Sequence, residues 1–308
     1  MASHALEGLS VRELKARLQG FGCTDFSQFL ERCDLVQALS AYQPELAQSE
    51  PHADVSAATP NVGSTWANRG DIVEGDLERE VEIASGCTLR VAERRSSFDN
   101  SNTGAVLWDA SVRLARHVFA LGRPQLAGKR VVELGCGTGL AGLAAGVQGA
   151  QVVLTDLPEV LAEVTEANLQ ANLPALRDSG AAPQGTVALQ PLAWGDGVGH
   201  LEPPPPFDYV LAADVVYRPE LFEPLRRTLL QLAGPGTRVL LAYTRRRSQE
   251  EWFFSSICED FDCKVVESDG APQLEGEGTG EGDAWRGFTG YGESAIFLLV
   301  RRSGLSSL

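Results

Sequence analysis

Glycines at 135, 137, 139, 142 and 146 recur in the stretch VVELGCGTGLAGLAAG, residues 131 to 146, which opens on an apolar pair and closes like the first turns of a helix. Such a loop lets backbone approach a ligand closely. Two chemistries fit the spacing. Gly137, Gly139 and Gly142 spell the G-x-G-x-x-G of a dinucleotide site, whereas Glu133, Gly135, Gly137 and Gly139 spell an acid-plus-glycines loop for a nucleoside with a methionine tail. Glu133 favours the second, because a carboxylate directed at the ligand repels a pyrophosphate and suits an α-ammonium. Asp156, which ends the run VVLTDLP, stands where a carboxylate can accept both hydroxyls of a ribose. It fits either cofactor. Leu157 beside it is a further cofactor-binding candidate.

A second constellation lies about eighty residues on, in ADVVY. Asp214 follows an apolar run, at a strand end where binding groups collect, and Tyr217 is about one turn further. An anion and an aromatic ring suit an amine or ammonium that must be oriented toward a cationic sulfur. The alternative is that Asp214 merely caps a helix beginning at Pro219.

These groups need a frame to hold them. Residues 71 to 93 alternate as two strands with a turn at Ser85-Gly86, and a helix is predicted over 104 to 121. Strands follow at 130–134, 151–155, 186–191, 207–213, 237–243, 263–268 and 294–301, with helices at 139–148, 158–171, 219–232 and 248–260. Short apolar strands alternating with amphipathic helices predict an α/β fold, a parallel sheet covered on both faces. Residues 269 to 292, between the last two strands, carry no helical pattern, so the last strand is expected to enter antiparallel. A dehydrogenase would also need a substrate domain bringing a proton-transferring His or a Tyr/Lys pair, for which the chain has no room. Upstream, residues 9 to 42 read as a helical pair. They loosely resemble small helix-extended-helix modules of the SAP type, and a helical docking module over 1 to 46 is expected, with a linker over 47 to 69 and a tail over 303 to 308.

The chain has 308 residues, 44% hydrophobic, enough for one large domain with an appendage. Its 26 basic and 41 acidic residues give a net charge of −15, which disfavours nucleic-acid and anionic membrane partners and leans toward a basic one. Six scattered cysteines without a C-x-x-C, and four histidines, predict reduced thiols and no metal site. No apolar run reaches the length of a membrane span, and the first residues lack an apolar signal core. A cytoplasmic, monomeric protein is expected.

Six motifs in order complete the reading: GAVLWDASVRLARHV (104 to 118), VVELGCGTGLAGLAA (131 to 145), VVLTDLPEVLAEVTEANLQAN (152 to 172), PLAWGD (191 to 196), FDYVLAADVVYRPELFEPLRRTL (207 to 229) and VLLAYTRRR (239 to 247). Together they resemble the class I, seven-β-strand protein-lysine methyltransferases of the methyltransferase-like type, lysine methyltransferase family 16, over roughly residues 70 to 302. The resemblance implies a Rossmann-like seven-stranded sheet, preceded by the β-hairpin and the N-terminal helical module, and S-adenosylmethionine as cofactor. It implies that Trp108 lies near the methionyl end, that Gly135, Cys136 and Gly137 line the loop, that Asp156 holds the ribose, that Trp194 flanks the adenine and that Ala213 touches the cofactor. It also implies that Asp214 and Tyr217 form the acceptor side, with a lysine of a protein substrate as acceptor. One departure stands out: the family often has an acid before that tryptophan, where this chain has Ala193, so the adenine amino group would fall to a backbone carbonyl or to Asp196. A protein histidine, a small amine, or a cofactor-binding scaffold without activity remain the rival readings.

Overall fold

Strands β1 (Gly75–Ala84) and β2 (Cys87–Arg95) form the expected hairpin, turning at Ser85-Gly86, where Gly86 takes a left-handed φ of 79° that glycine adopts without strain. The computed structural model describes residues 75–95, 103–178, 186–245, 250–268 and 294–302. The chain divides into Met1–Val73 and Glu74–Leu308, and all described residues belong to the second unit. The expected docking module, linker, tail and the 269 to 292 insert therefore lie outside the described residues.

The main sheet has seven strands in the order β5-β4-β3-β6-β7-β9-β8. These are β3 (Arg130–Leu134), β4 (Gln151–Asp156), β5 (Thr186–Pro191), β6 (Tyr209–Ala213), β7 (Arg238–Thr244), β8 (Phe261–Ser268) and β9 (Ser294–Arg301). The first five in sheet order run parallel, and β9 enters antiparallel to both β7 and β8, as the helix-poor connection predicts. The central strand β3 is buried from Val131 to Leu134, so its apolar run does not alternate. Order reverses at β3, where β4 lies on one side and β6 on the other. In open α/β sheets such a switch point opens a crevice at the carboxyl edge.

Helices α1 (Asp109–Leu121), α2 (Leu140–Val147), α3 (Glu166–Asp178), α4 (Phe222–Leu232) and α5 (Glu250–Asp260) cover the sheet. Every residue of α2 from Leu140 to Gly146 is buried, which accounts for its all-apolar composition. By contrast α4 buries one stripe, Phe222, Leu225, Thr228, Leu229 and Leu232, at helical spacing.

Three departures from the sequence reading have local causes. The helix predicted from 104 begins at Asp109, because Thr103–Ala105 form a separate 3-10 turn and Trp108 is extended at φ −93°, ψ 146°. Glu93 of β2 accepts the Leu107 N–H at 3.2 Å, and Trp108 Nε1 donates back to Thr103 O at 2.9 Å, so tertiary bonds outcompete one more helical turn. The helix predicted over 158 to 171 instead passes from Pro158–Val160 through a π-helical turn, Leu161–Thr165, into α3. It then continues past Pro174, which deprives only the exposed Gln170 of its donor. Finally, Cys258 and Cys263 are joined as a disulfide, so the expectation of thiols throughout fails at this pair, whereas Cys87 and Cys136 are free.

Candidate active site

At the carboxyl end of β3 the chain enters the glycine loop. Gly137 has φ 50°, and a Cβ there would stand 2.6 Å from Gly104 O, so only glycine lets the loop close against the 3-10 turn. Neighbouring groups fix the loop's path. Thr165 Oγ1 donates to Gly137 O at 2.7 Å, Cys136 N–H donates to Thr155 O at 3.0 Å, and Thr155 Oγ1 donates to Glu133 O at 2.7 Å. Gly142 serves a different purpose: a Cβ would lie 2.3 Å from Leu154 Cδ2, so α2 can sit directly on β4 only without one.

Asp156 ends β4 and accepts two backbone N–H groups, Gly137 on Oδ2 and Leu157 on Oδ1, each at 2.8 Å. Burial raises its pKa, and these two hydrogen bonds oppose the rise. Glu133 lies deeper, 1% exposed, with Oε2 accepting the Gly142 N–H at 2.7 Å. Burial pushes its carboxyl up to about 8, against the pull of the Gly142 hydrogen bond and reinforced by Asp156. The sequence suggested an anion here; burial instead favours the protonated acid. Burial likewise pushes the Cys136 thiol well up, so it stays protonated.

Asp214 is buried, with φ 55°, the one positive φ outside glycine among the described residues. Its N–H donates to Ala242 O at 2.9 Å and its Oδ1 accepts the Thr244 N–H at 3.3 Å, so β7 holds both its backbone and its carboxylate. It does not cap the turn at Pro219, whose N-cap is Arg218 without a side-chain cap.

The structure brings Trp108, Glu133, Gly135, Cys136, Gly137, Asp156, Leu157, Trp194, Ala213, Asp214 and Tyr217 around one cleft, which with its solvent-open mouth encloses about 700 Å³. Gly139 is the exception: its φ of 77° starts α2, and a Cβ would meet Leu154 and Thr165 in the core. Asp196 is exposed and is also outside the lining. Sequence reasoning missed Thr103, Gly104, Val106, Ser111, Thr138, Val160 and Val215. Ser111 was within reach of it, three positions after Trp108 and so on the same helical side.

The donor set fits the nucleoside reading. Asp156 keeps lone pairs beyond its two N–H bonds, the loop exposes backbone, and the indoles of Trp108 and Trp194 line the cleft, that of Trp194 lying against Gly135. Fold and cleft together define a Rossmann-like methyltransferase that uses S-adenosylmethionine. Comparison with known proteins sharpens that class: a family model described as lysine methyltransferase matches residues 86–260, and the chain belongs to this family. Protein N-lysine methyltransferase METTL21A of Danio rerio is 38% identical over 165 residues, 54% of this chain and 72% of the relative. The Mus musculus protein of that name is 34% identical over 175 residues, 57% of this chain and 76% of its own length. EEF1A lysine methyltransferase 3 of Mus musculus is 36% identical over 154 residues, 50% of this chain and 61% of the relative.

Proposed function

We propose that the cleft binds S-adenosylmethionine with its ribose on Asp156 and its adenine beside Trp194, and that Asp214 and Tyr217 receive a lysine side chain of a protein substrate. The observation that carries this reading is the order of groups along the sheet edge. Trp194 follows β5, Asp156 ends β4, Glu133 and the glycine loop end β3, and Asp214 follows β6. A nucleoside laid from β5 to β4 directs its tail toward β3 and β6, where the acceptor groups stand.

S-adenosylmethionine, when bound, supplies a methyl group on a cationic sulfur. Transfer is an in-line displacement, so this chain's task is alignment and electrostatics. A lysine at its reference pKa of about 10.4 must lose a proton at a cost of roughly 4 to 5 kcal/mol at pH 7. Asp214, buried and clamped by the Thr244 N–H, orients the amine, and Tyr217 offers its ring to the alkyl-ammonium end. Desolvation then favours the neutral amine. Glu133 neutralises the cofactor's ammonium, and Trp108 walls the methionyl end.

The acceptor class is supported by the names of the relatives, a protein N-lysine methyltransferase and a methyltransferase of an EEF1A lysine. Docking through residues 1 to 46, a monomeric state and a cytoplasmic location belong to the same reading and rest on the sequence. No helix among the described residues is long and apolar enough to cross a membrane. The test is incubation with radiolabelled cofactor and fractionated lysate, with the labelled site mapped by mass spectrometry. Methyllysine on a protein is expected; label confined to histidine or to small amines overturns the acceptor.

A further inference from the structure

We propose that the Ser111 hydroxyl binds the carboxylate of the cofactor's methionine tail. Ser111 is 7% exposed, its Oγ has no hydrogen-bond partner, and it lines the cleft. A buried hydroxyl left without a partner is costly, and a helical serine ordinarily relieves that by bonding a carbonyl one turn back. Ser111 does not, which leaves an unpartnered donor on a residue that lines the ligand space.

Its position selects which part of the ligand it meets. Ser111 is in the first turn of α1, a 13-residue helix that packs against α2, β6 and β7, whereas Asp156 ends β4 on the far side of β3. With a ribose on Asp156, the group that reaches Ser111 belongs to the tail. That tail carries an ammonium and a carboxylate, and the cleft treats them unequally. Among the described residues its lining holds three carboxyl groups, Glu133, Asp156 and Asp214, and no Lys, Arg or His. The ammonium is provided for by Glu133. The carboxylate must be met by neutral donors, and Ser111 supplies one at the positive end of a helix dipole, where the opening N–H groups lack intrahelical acceptors.

The inference rests on the cleft being the cofactor site, and the test separates the two. Affinities of the wild type, Ser111→Ala and Asp156→Ala are measured by calorimetry for S-adenosylmethionine and for its decarboxylated analogue. Ser111→Ala is expected to weaken S-adenosylmethionine about tenfold, the usual effect of losing a hydrogen bond to a charged group, and to leave the analogue within about twofold. The ligand-free variant is expected to melt no lower than the wild type, since it loses a hydroxyl that bonds nothing. Equal weakening of both ligands, or unchanged binding of S-adenosylmethionine while Asp156→Ala loses it, overturns the role of Ser111. Unchanged binding by Asp156→Ala overturns the cleft assignment and Ser111 with it.

Discussion

At the scale of single residues, two carboxyl groups do different work because their surroundings differ. Asp214 sits in a left-handed conformation that asparagine also tolerates, so Asp214→Asn keeps the backbone and removes only the charge. We expect that variant to lose about a hundredfold in turnover, a loss typical of a misaligned nucleophile, while binding the cofactor as before. Full turnover with an unchanged pH profile would remove Asp214 from the acceptor site. Glu133 titrates near 8 in the free protein, above its ordinary value of 4.5. The folded state therefore holds this proton more tightly than the unfolded chain, and its contribution to stability is complete at low pH and is lost as pH rises through about 8. Between those values thermal stability should fall with pH more steeply in the wild type than in Glu133→Gln. Pairing with the cofactor's ammonium reverses the preference, so binding at pH 7 should release up to one proton from the wild type and less from Glu133→Gln. Calorimetry in buffers of different ionisation enthalpy measures the difference.

At the scale of elements, Glu93 links the hairpin to the cleft. Fully buried on β2, it pairs with Arg79 and accepts the N–H of Leu107, immediately before Trp108. Removing a partner from a wholly buried ion pair costs about 3 to 5 kcal/mol; Arg79 is 36% exposed, so we expect Glu93→Ala to cost less, about 2 kcal/mol. The melting point should drop several degrees and cofactor affinity should fall with it, because Trp108 loses its anchor. A melting change without an affinity change would confine Glu93 to the hairpin. The sequence shows clearly those elements whose apolar runs report burial, and β3 and β9 appear within their predicted bounds, as does the edge strand β5, whose residues are exposed or half-buried. It does not show the start of α1 or the π-helical turn, because the Glu93–Leu107 bond and the grip of Thr165 on Gly137 join residues 14 and 28 apart. The same holds within the cleft. Glu133, Asp156 and Asp214 stand at strand ends that periodicity locates, whereas Gly104 lies in a 3-10 turn where the pattern predicts helix, and Val160 lies on a predicted helix whose cleft-facing side no pattern marks.

At the scale of the whole molecule, a net charge of −15 on a chain whose cleft carries three carboxyl groups favours encounter with a basic segment. KM for a basic peptide substrate should therefore rise with ionic strength between about 0.01 and 0.15 M, as the screening length falls from about 30 to 8 Å, with kcat nearly constant. A salt-independent KM would show that the charge serves solubility alone. Deleting residues 1 to 46 should raise KM for the natural protein substrate and leave a short peptide unaffected; unchanged labelling of the natural substrate would remove the docking role. The molecule also has a cross-link that no strand supplies. Asn168 of α3 donates to Ala92 O in β2 and to Thr138 O in the glycine loop, and accepts the Ala92 N–H at 2.6 Å. Asn172 repeats the grip one turn on, at Arg90. One amide thus spans the hairpin and the cofactor loop, so ligand and hairpin share a free energy of opening. Amide protons at Arg90 and Ala92 should exchange more slowly once the cofactor is bound, and by reciprocity any protein that grips the hairpin would change cofactor affinity by the factor the cofactor changes its own.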